Sequence, residues 1–432
     1  MSMRAELAVL ALAAGWAAAA WTAEGQSEVA PLVERVRPLA EDPLKEAPGV
    51  FFYEDLETIQ KLGESFQDVG GNDGRFRISD TDAFSGKRGI QQEYLPGKEL
   101  KDDPGNAGWC WRFFGDNPKS NMTRGGTLVT TAVARWYHKF EAGFEPRDVA
   151  HWVPKFGRMR CFTDGEWHGA YSVLYWIAGQ DGHLSIERHT KAPGVHREWL
   201  PNHATRFEFA RPENVGRWIH FELRVALGEG PRADRIQAWA DGLLICDVEG
   251  DDLAGGYRKF GLNGMSWDCY WNGGSPKRQS RYFDDLMLGT QPIGPARTPL
   301  NPEIVLASAT GKVELEVAEG MQETLETETT NDGLVTRHKP LAVKYATVWR
   351  GQAAAERVTV NGENGAFVGP RAGKEALAAN TLHFVRARRK GAGDAWGPWS
   401  AWHAGFATEW PEGTQPAART PPEGYLAGAD QK

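Results

Sequence analysis

Several things are scarce in this chain, and each scarcity excludes something. Uninterrupted helix-forming stretches are few, because 50 glycines and 25 prolines break up 432 residues. Both residues disfavour helix interiors, so long helices are not expected. Membrane-length apolar runs are missing too: the stretch from Leu7 to Ala20 falls short of the ~20 residues that cross a bilayer. That excludes a multi-span membrane protein. Of the four cysteines, Cys110, Cys161, Cys246 and Cys269, no two form a C-x-x-C pair, which argues against a zinc site. An excess of positive charge is also lacking. The 57 acidic residues outnumber 49 basic ones, for a net −8. A general nucleic-acid binder needs the opposite balance to displace counterions, so no nucleic-acid partner is expected.

What is abundant is tryptophan, 18 in all. In a turn-rich chain this suggests β structure, and stacking surfaces for sugars or bases. Arg4, the apolar run and the small residues at Ala18, Ala20 or Ala23 read as a secretory signal over residues 1–23. The mature chain is then expected to be secreted, extracellular or periplasmic, without a stable membrane span. In such a compartment an even number of cysteines suggests disulfides, with three connectivities open.

Residues 24–49 are polar and proline-bearing and read as a linker. From Val50 to Gly289 short strand-like runs alternate with Gly, Asn, Asp and Pro clusters, the spacing of a sandwich or barrel rather than of βαβ units. A Pro-rich segment, 290–302, reads as a second linker. Residues 303–409 form another β-rich unit, and 410–432 read as a disordered tail.

The clearest strand runs from Trp218 to Val225, where Ile219, Phe221, Leu223 and Val225 alternate with polar residues. That pattern predicts one buried and one wet face. If it pairs with the run Arg235 to Ala240, one sheet face carries His220, Glu222, Arg224, Gln237 and Trp239. These five are candidate substrate-binding residues, and the same pattern also fits a plain solvated face. The segment His151 to Arg160 supplies further cations, with Arg158 and Arg160 on one face if it is a strand.

Four motifs occur in order. They are Phe51-Phe52-Tyr53-Glu54-Asp55-Leu56-Glu57, then Trp136-Tyr137-His138-Lys139-Phe140-Glu141-Ala142-Gly143-Phe144. Next come Gly216-Arg217-Trp218 with Trp239-Ala240-Asp241-Gly242, and finally Arg281-Tyr282-Phe283-Asp284-Asp285-Leu286. Together they resemble the concanavalin A-like jelly-roll polysaccharide lyases, the alginate- and glucuronan-lyase-like proteins. The resemblance implies an all-β fold over 50–289, two antiparallel sheets with a face that holds an extended acidic polysaccharide. It further implies β-elimination beside a uronate carboxylate. Lys155 or Arg160 would neutralise that carboxylate and Tyr175 or a nearby histidine would take the proton, with His151 and Arg158 among the substrate contacts. A structural calcium ion is implied at Glu57, Ser85 and Asp284. Hydrolases of the same fold carry E-x-D-x-x-E, whereas here Glu249-Gly250-Asp251 is followed by Ala254, which leaves a retaining hydrolase without its pair of carboxylates.

The second unit resembles a fibronectin type III domain through Leu377 to Arg388, with His383 at the usual tyrosine position. Trp396, Trp399 and Trp402 recur every three residues, a spacing suited to laying indoles between Arg386 and Arg388. The whole reads as a secreted, monomeric protein that binds an acidic polysaccharide and eliminates within it. The alternative is a non-catalytic carbohydrate-binding or adhesion protein of the same fold.

Overall fold

The computed structural model describes residues 31–425, apart from 72–73, 97–104, 107, 116–127, 146–154, 164–165, 178–182, 191–197, 200–202, 210, 231, 253–254, 273–274, 308–310, 323–324, 330–335, 341 and 392–394. For the strand Glu166–Ile177 only the backbone is described. The expected signal segment 1–23 and His151 lie outside the described residues.

The fold is all-β, with short 3-10 turns between strands. Two antiparallel sheets pack face to face as a jelly-roll sandwich. One runs Leu243–Asp251, Asp234–Ala240, Trp218–Ala226, Thr131–Phe140, Gln279–Gly289, Gly89–Tyr94, Phe76–Ser79, with Val50–Glu54 also paired to Gln279–Gly289. The facing sheet runs Glu198–Trp199, His183–Thr190, Glu166–Ile177, Lys155–Thr163, Gly264–Asp268, Trp109–Phe113, Asp68–Gly70.

Side chains alternate across a strand, and the expected alternation holds. Ile219, Phe221, Leu223 and Val225 enter the core with Trp136, Phe140, Ile236, Ala238 and Phe283. From the other sheet come Phe156, Met159, Cys161, Leu184, Ile186, Met265 and Trp267. Each such apolar side chain contributes roughly 1.5–3 kcal/mol when fully buried.

A second core gathers Ile304, Leu306, Val313, Leu315, Val317, Val348, Trp349, Val385 and Phe406. Leu32, Val33 and Val36 belong to it as well, because Val33–Val36 pairs with Glu303–Leu306. The chain therefore enters this unit before building the sandwich. Residues 31–49 are not a linker: Asp42 caps a turn at Leu44 N–H, 2.9 Å, and pairs with the buried Arg135 at 2.7 Å. Nor is 290–302 free, since Ile293, Ala296 and Arg297 are buried. The expected tail is likewise ordered through 425. Trp410 lies under the Arg297 guanidinium, 3.8 Å from ring centroid to Cζ, and Tyr425 is buried. Apolar and aromatic anchors decide this, and they outweigh the linker-like composition around them.

The two units also share a sheet. Thr336–Pro340 adds to the edge of Leu243–Asp251 through Val248 opposite Arg337, and Leu325–Thr329 adds beyond it. The tryptophan–arginine stack is present: Arg386 lies 4.8 and 4.5 Å from the rings of Trp399 and Trp402, and Arg388 5.4 and 4.5 Å from Trp396 and Trp399. All four cysteines are buried thiols, none in a disulfide. Among the described residues no helix is long and apolar enough to cross a membrane.

His138 sits in the sandwich core, stacked on Phe140 at 4.3 Å and tilted against Phe283 at 4.7 Å, with no hydrogen-bond partner at either ring nitrogen. Burial, with the nearby Arg281 charge, holds its pKa well below the usual value. The folded state thus keeps this histidine neutral while the unfolded chain protonates near the ordinary ~6.5. Its contribution to stability is present above that pH and lost as pH falls. His138→Phe should therefore gain stability relative to the parent at pH 5 more than at pH 7.5 in urea unfolding. An equal difference at the two pH values would contradict this.

Candidate functional site

The strand Lys155–Thr163 places three expected cations. Met159 and Cys161 point into the core and are fully buried, so Arg158 and Arg160 project from the opposite, outer face. A register shift opposite Tyr175 and Trp176 lets Phe156 also enter the core, which turns Lys155 outward. Lys155, Arg158 and Arg160 therefore share one side of the sheet.

Neighbouring strands extend this surface. Arg158 is opposite Ser266 and Arg160 opposite Gly264; Ser266 in turn faces Trp111, Asp268 faces Trp109 and Gly264 faces Phe113. Directly opposed residues share a sheet face. This side of the sheet thus carries Trp109, Trp111 and Phe113 beside the cations; Trp111 and Phe113 are buried against Phe162, and Trp109 is half-buried. Glycine is required at 264, because a Cβ there would meet Phe162 Cε2 at 2.6 Å.

Charge on this face is arranged in pairs and stacks. Arg158 Nη2 lies 2.5 Å from Asp268 Oδ2, and Asp268 Oδ1 accepts the Tyr270 N–H at 2.8 Å. Asp268 is buried while the Arg158 side chain keeps 21% of its exposure. The Arg160 guanidinium lies 5.2 Å from the Trp111 ring centroid and 5.8 Å from that of Phe162. Lys155 Nζ sits 4.1 Å from the centroid of the Tyr270 ring, and the residue is 7% exposed. Asp68, opposite Trp111, stands at the sheet edge. Three cations stand on this face with Asp268, Asp68 and, by its register with Leu174, Glu187, and the half-buried Trp109 lies beside them; the guanidinium groups suit a ligand with carboxylates. Tyr175 is in register with Gly157, one position out of step with Arg158 and Arg160; its side chain lies outside the described residues.

The second expected set occupies the other side of the sandwich. His220, Glu222, Arg224, Gln237 and Trp239 do share one face, Glu222 opposite Trp239 and Arg224 opposite Gln237. That face is covered rather than wet. Trp239 is fully buried and stacks on Tyr425, 5.6 Å between centroids with planes 14° apart. Glu222 is fully buried and accepts the Ile293 N–H at 3.0 Å, the Gly294 N–H at 2.7 Å and the Tyr425 hydroxyl at 2.9 Å. Burial raises its pKa and these hydrogen bonds oppose the rise. His220 accepts the Gly242 N–H at Nδ1, 3.2 Å, and burial together with Arg135 keeps its pKa well below the usual value. Half-buried Arg224 donates to Gln237 Oε1 at 2.5 Å, and Gln237 donates to Asp247 Oδ2 at 3.1 Å. These five residues are packing contacts. Two packed sheets, ~10 Å apart, separate them from Lys155, Arg158 and Arg160, so one glycan segment cannot touch both groups.

Glu57, Ser85 and Asp284 gather on the loop 84–88. Glu57 Oε1 accepts the Lys87 and Arg88 N–H groups, each at 2.8 Å. Asp284 Oδ2 accepts the Phe84 and Ser85 N–H groups at 2.8 and 3.0 Å, and Ser85 Oγ donates to Asp285 Oδ1 at 2.9 Å. Gly86 has φ +54°, and a Cβ on it would meet Glu57 Oε1 at 2.3 Å, so the loop closes on the carboxylate only with glycine. Burial raises the pKa of Asp284 and pushes that of Asp285 up to about 6. The oxygen donors are of the kind calcium takes, yet among the described residues no three His, Cys, Asp or Glu side chains group as metal ligands.

Sequence reasoning missed Asp268, Trp109 and Trp111. The period-two signal at Trp109, Trp111 and Phe113 was available in the sequence.

No protein-family model and no curated protein matches this chain. Several solved structures are similar at low identity. A mutant of alginate lyase Aly36B with bound alginate trisaccharide is 14% identical, covering 60% of this chain and 100% of that one, with a TM-score of 0.37. Alginate lyase vAL-1 from Chlorella virus is 15% identical over 56% of this chain and 99% of its own, TM-score 0.37. The lectin UEA-II with galactose is 8% identical over 55% and 97%, TM-score 0.31.

Burial of Trp239 under Tyr425 has a measurable consequence. Trp239→Ala should cost about 3–5 kcal/mol of stability, the usual range for a large buried aromatic, as read by chemical denaturation. A stability equal to the parent's would return Trp239 to the solvent.

Proposed function

We propose that this chain is a secreted protein that holds an acidic polysaccharide against the outer face of the Lys155–Thr163 sheet and cleaves it by β-elimination beside a uronate carboxylate. One observation carries the reading: Lys155, Arg158 and Arg160 share that face with Trp109 and Trp111, while the opposite outer face is occupied by the protein's own chain. Guanidinium groups recognise carboxylates with paired donors, and the half-buried Trp109 indole can accept the flat face of a sugar.

In the reaction, Arg160 and Lys155 would neutralise the uronate carboxylate, so that charge developing on removal of the C5 proton is spread into it. A base takes that proton, the C4–O bond breaks, the C4–C5 double bond forms, and the departing oxygen receives a proton. Tyr175, the expected base, shares the parity of Met159 and Cys161 through its register with Gly157, so it can serve only if its side chain reaches the outer face. A tyrosine ordinarily titrates near ~10, so nearby cations would have to lower it, and activity should rise toward alkaline pH. A second reading has its own support. Arg158 is held by Asp268 and Lys155 is largely buried, which suits a fixed carbohydrate-binding surface without turnover.

A panel of alginate, polyglucuronate and pectate separates the two. Under the lyase reading, the ultraviolet absorbance of unsaturated uronate ends appears with one of them, and Arg160→Ala lowers the rate by roughly a hundredfold, as for loss of one charge-stabilising donor. Binding without any unsaturated product would leave the carbohydrate-binding reading; neither binding nor product would remove both.

Calcium at Glu57, Ser85 and Asp284 is a further part of the proposal, supported by two adjacent buried carboxylates, Asp284 and Asp285. Calcium bound only by the folded state raises the melting temperature by mass action. Chelation should therefore lower the midpoint, and Asp284→Ala should abolish the difference between calcium and chelator. An unchanged midpoint in chelator would dismiss the ion.

A further inference from the structure

Arg281 is buried where a charge is costly. It belongs to Gln279–Gly289, is fully buried, and its guanidinium lies among the rings of Phe283, Phe156, Tyr94 and Phe140, with centroids 5.0, 5.4, 5.6 and 5.9 Å from Cζ. Among the described residues no carboxylate stands within ion-pairing distance of it. What it does hold is backbone on the other sheet. Nη2 donates to the Asp268 carbonyl at 2.6 Å and to the Lys155 carbonyl. Close by, the Tyr94 hydroxyl donates to the Cys269 carbonyl at 2.9 Å, and the Lys155 N–H donates to the Tyr270 carbonyl at 3.1 Å.

Both carbonyls belong to residues of the cationic face. Lys155 presents its ammonium there, and Asp268 holds Arg158. One nitrogen, reaching across the sandwich, therefore bridges the ends of two strands already paired from Trp267–Gly157 to Gly264–Arg160, which carry different parts of that surface. If stability alone were served, an apolar side chain of similar length would hold the sheets together without burying a charge. A guanidinium offers what an apolar side chain cannot: donors that set the position of carbonyl oxygens.

We infer that Arg281 is a positioning residue for the polysaccharide site, setting the spacing between Lys155 and the Arg158–Asp268 pair from inside the core. This rests on the cationic face being the binding face. Arg281 touches no ligand; it acts through the backbone of residues that would.

The experiment compares Arg281→Met, Arg281→Lys and Arg160→Ala in the full chain, using oligomers of mannuronate, guluronate and glucuronate as probes. Arg281→Met removes the buried charge at similar length, so its unfolding midpoint should match or exceed the parent's. Its affinity for the bound oligomer should nevertheless fall roughly ten- to hundredfold, the scale of a misplaced binding group. The salt dependence of binding should also become shallower, because fewer cations meet carboxylates together. A purely structural role would move the midpoint and leave the salt dependence alone. Arg281→Lys keeps the charge and can reach one carbonyl, so it should fold and bind with an intermediate loss; should the Met variant fail to fold, this variant decides. Parent-like affinity in Arg281→Lys, or in a folded Arg281→Met, while Arg160→Ala weakens binding, overturns the role of Arg281. Parent-like affinity in Arg160→Ala as well overturns the binding face itself.

Discussion

The buried carboxylate of Glu222 is the contact on which the layout turns. A fully buried carboxylate is tolerated only when its oxygens are occupied, and here they hold the amides of Ile293 and Gly294 and the hydroxyl of Tyr425. The segment after the sandwich and the end of the described chain are thereby tied to one outer face. Arg135 with Asp42 ties the beginning of the chain to the same sheet. Once that face is closed, the cations of Lys155–Thr163 stand on the sandwich face that the second unit leaves uncovered by these contacts.

This arrangement explains what could be read from the sequence and what could not. The alternation Ile219, Phe221, Leu223, Val225 identified the strand, its parity and its core face, because period two is a local property. The grouping of Glu222 with Trp239, and of Arg224 with Gln237, followed from the same parity and is the observed register. What covers the other face is not local. Tyr425, Ile293 and Gly294 reach Trp239 and Glu222 from far along the chain, and polar residues that read as wet are instead paired in the dark: Arg235 binds Asp247 through two bonds of 2.7 Å each. A sheet buried on both faces commonly shows continuous apolar strands; this one buries hydrogen-bonded polar residues, so its sequence imitates an exposed sheet.

The site shows the same division. Lys155, Arg158 and Arg160 were legible as a cluster by spacing, and the strand brings them to one face once Phe156 is accommodated by the register shift. Asp268 was not legible, since its pairing with Arg158 joins strands over a hundred residues apart in sequence. Arg281 was hidden within a motif that looked structural, and its two carbonyl partners lie on the opposite sheet. Chemistry carried by a strand is visible locally; the supports that aim it are visible only after folding.

Hydrogen exchange with and without a bound uronate oligomer measures which face of the sandwich meets the glycan. A glycan on the cationic face slows exchange in Lys155–Thr163, Gly264–Asp268 and Trp109–Phe113 and leaves Trp218–Ala226 and Asp234–Ala240 unchanged. Protection confined to Trp218–Ala226 and Asp234–Ala240 would contradict it, because that result would place the ligand on the face that Glu222, Trp239 and Tyr425 close.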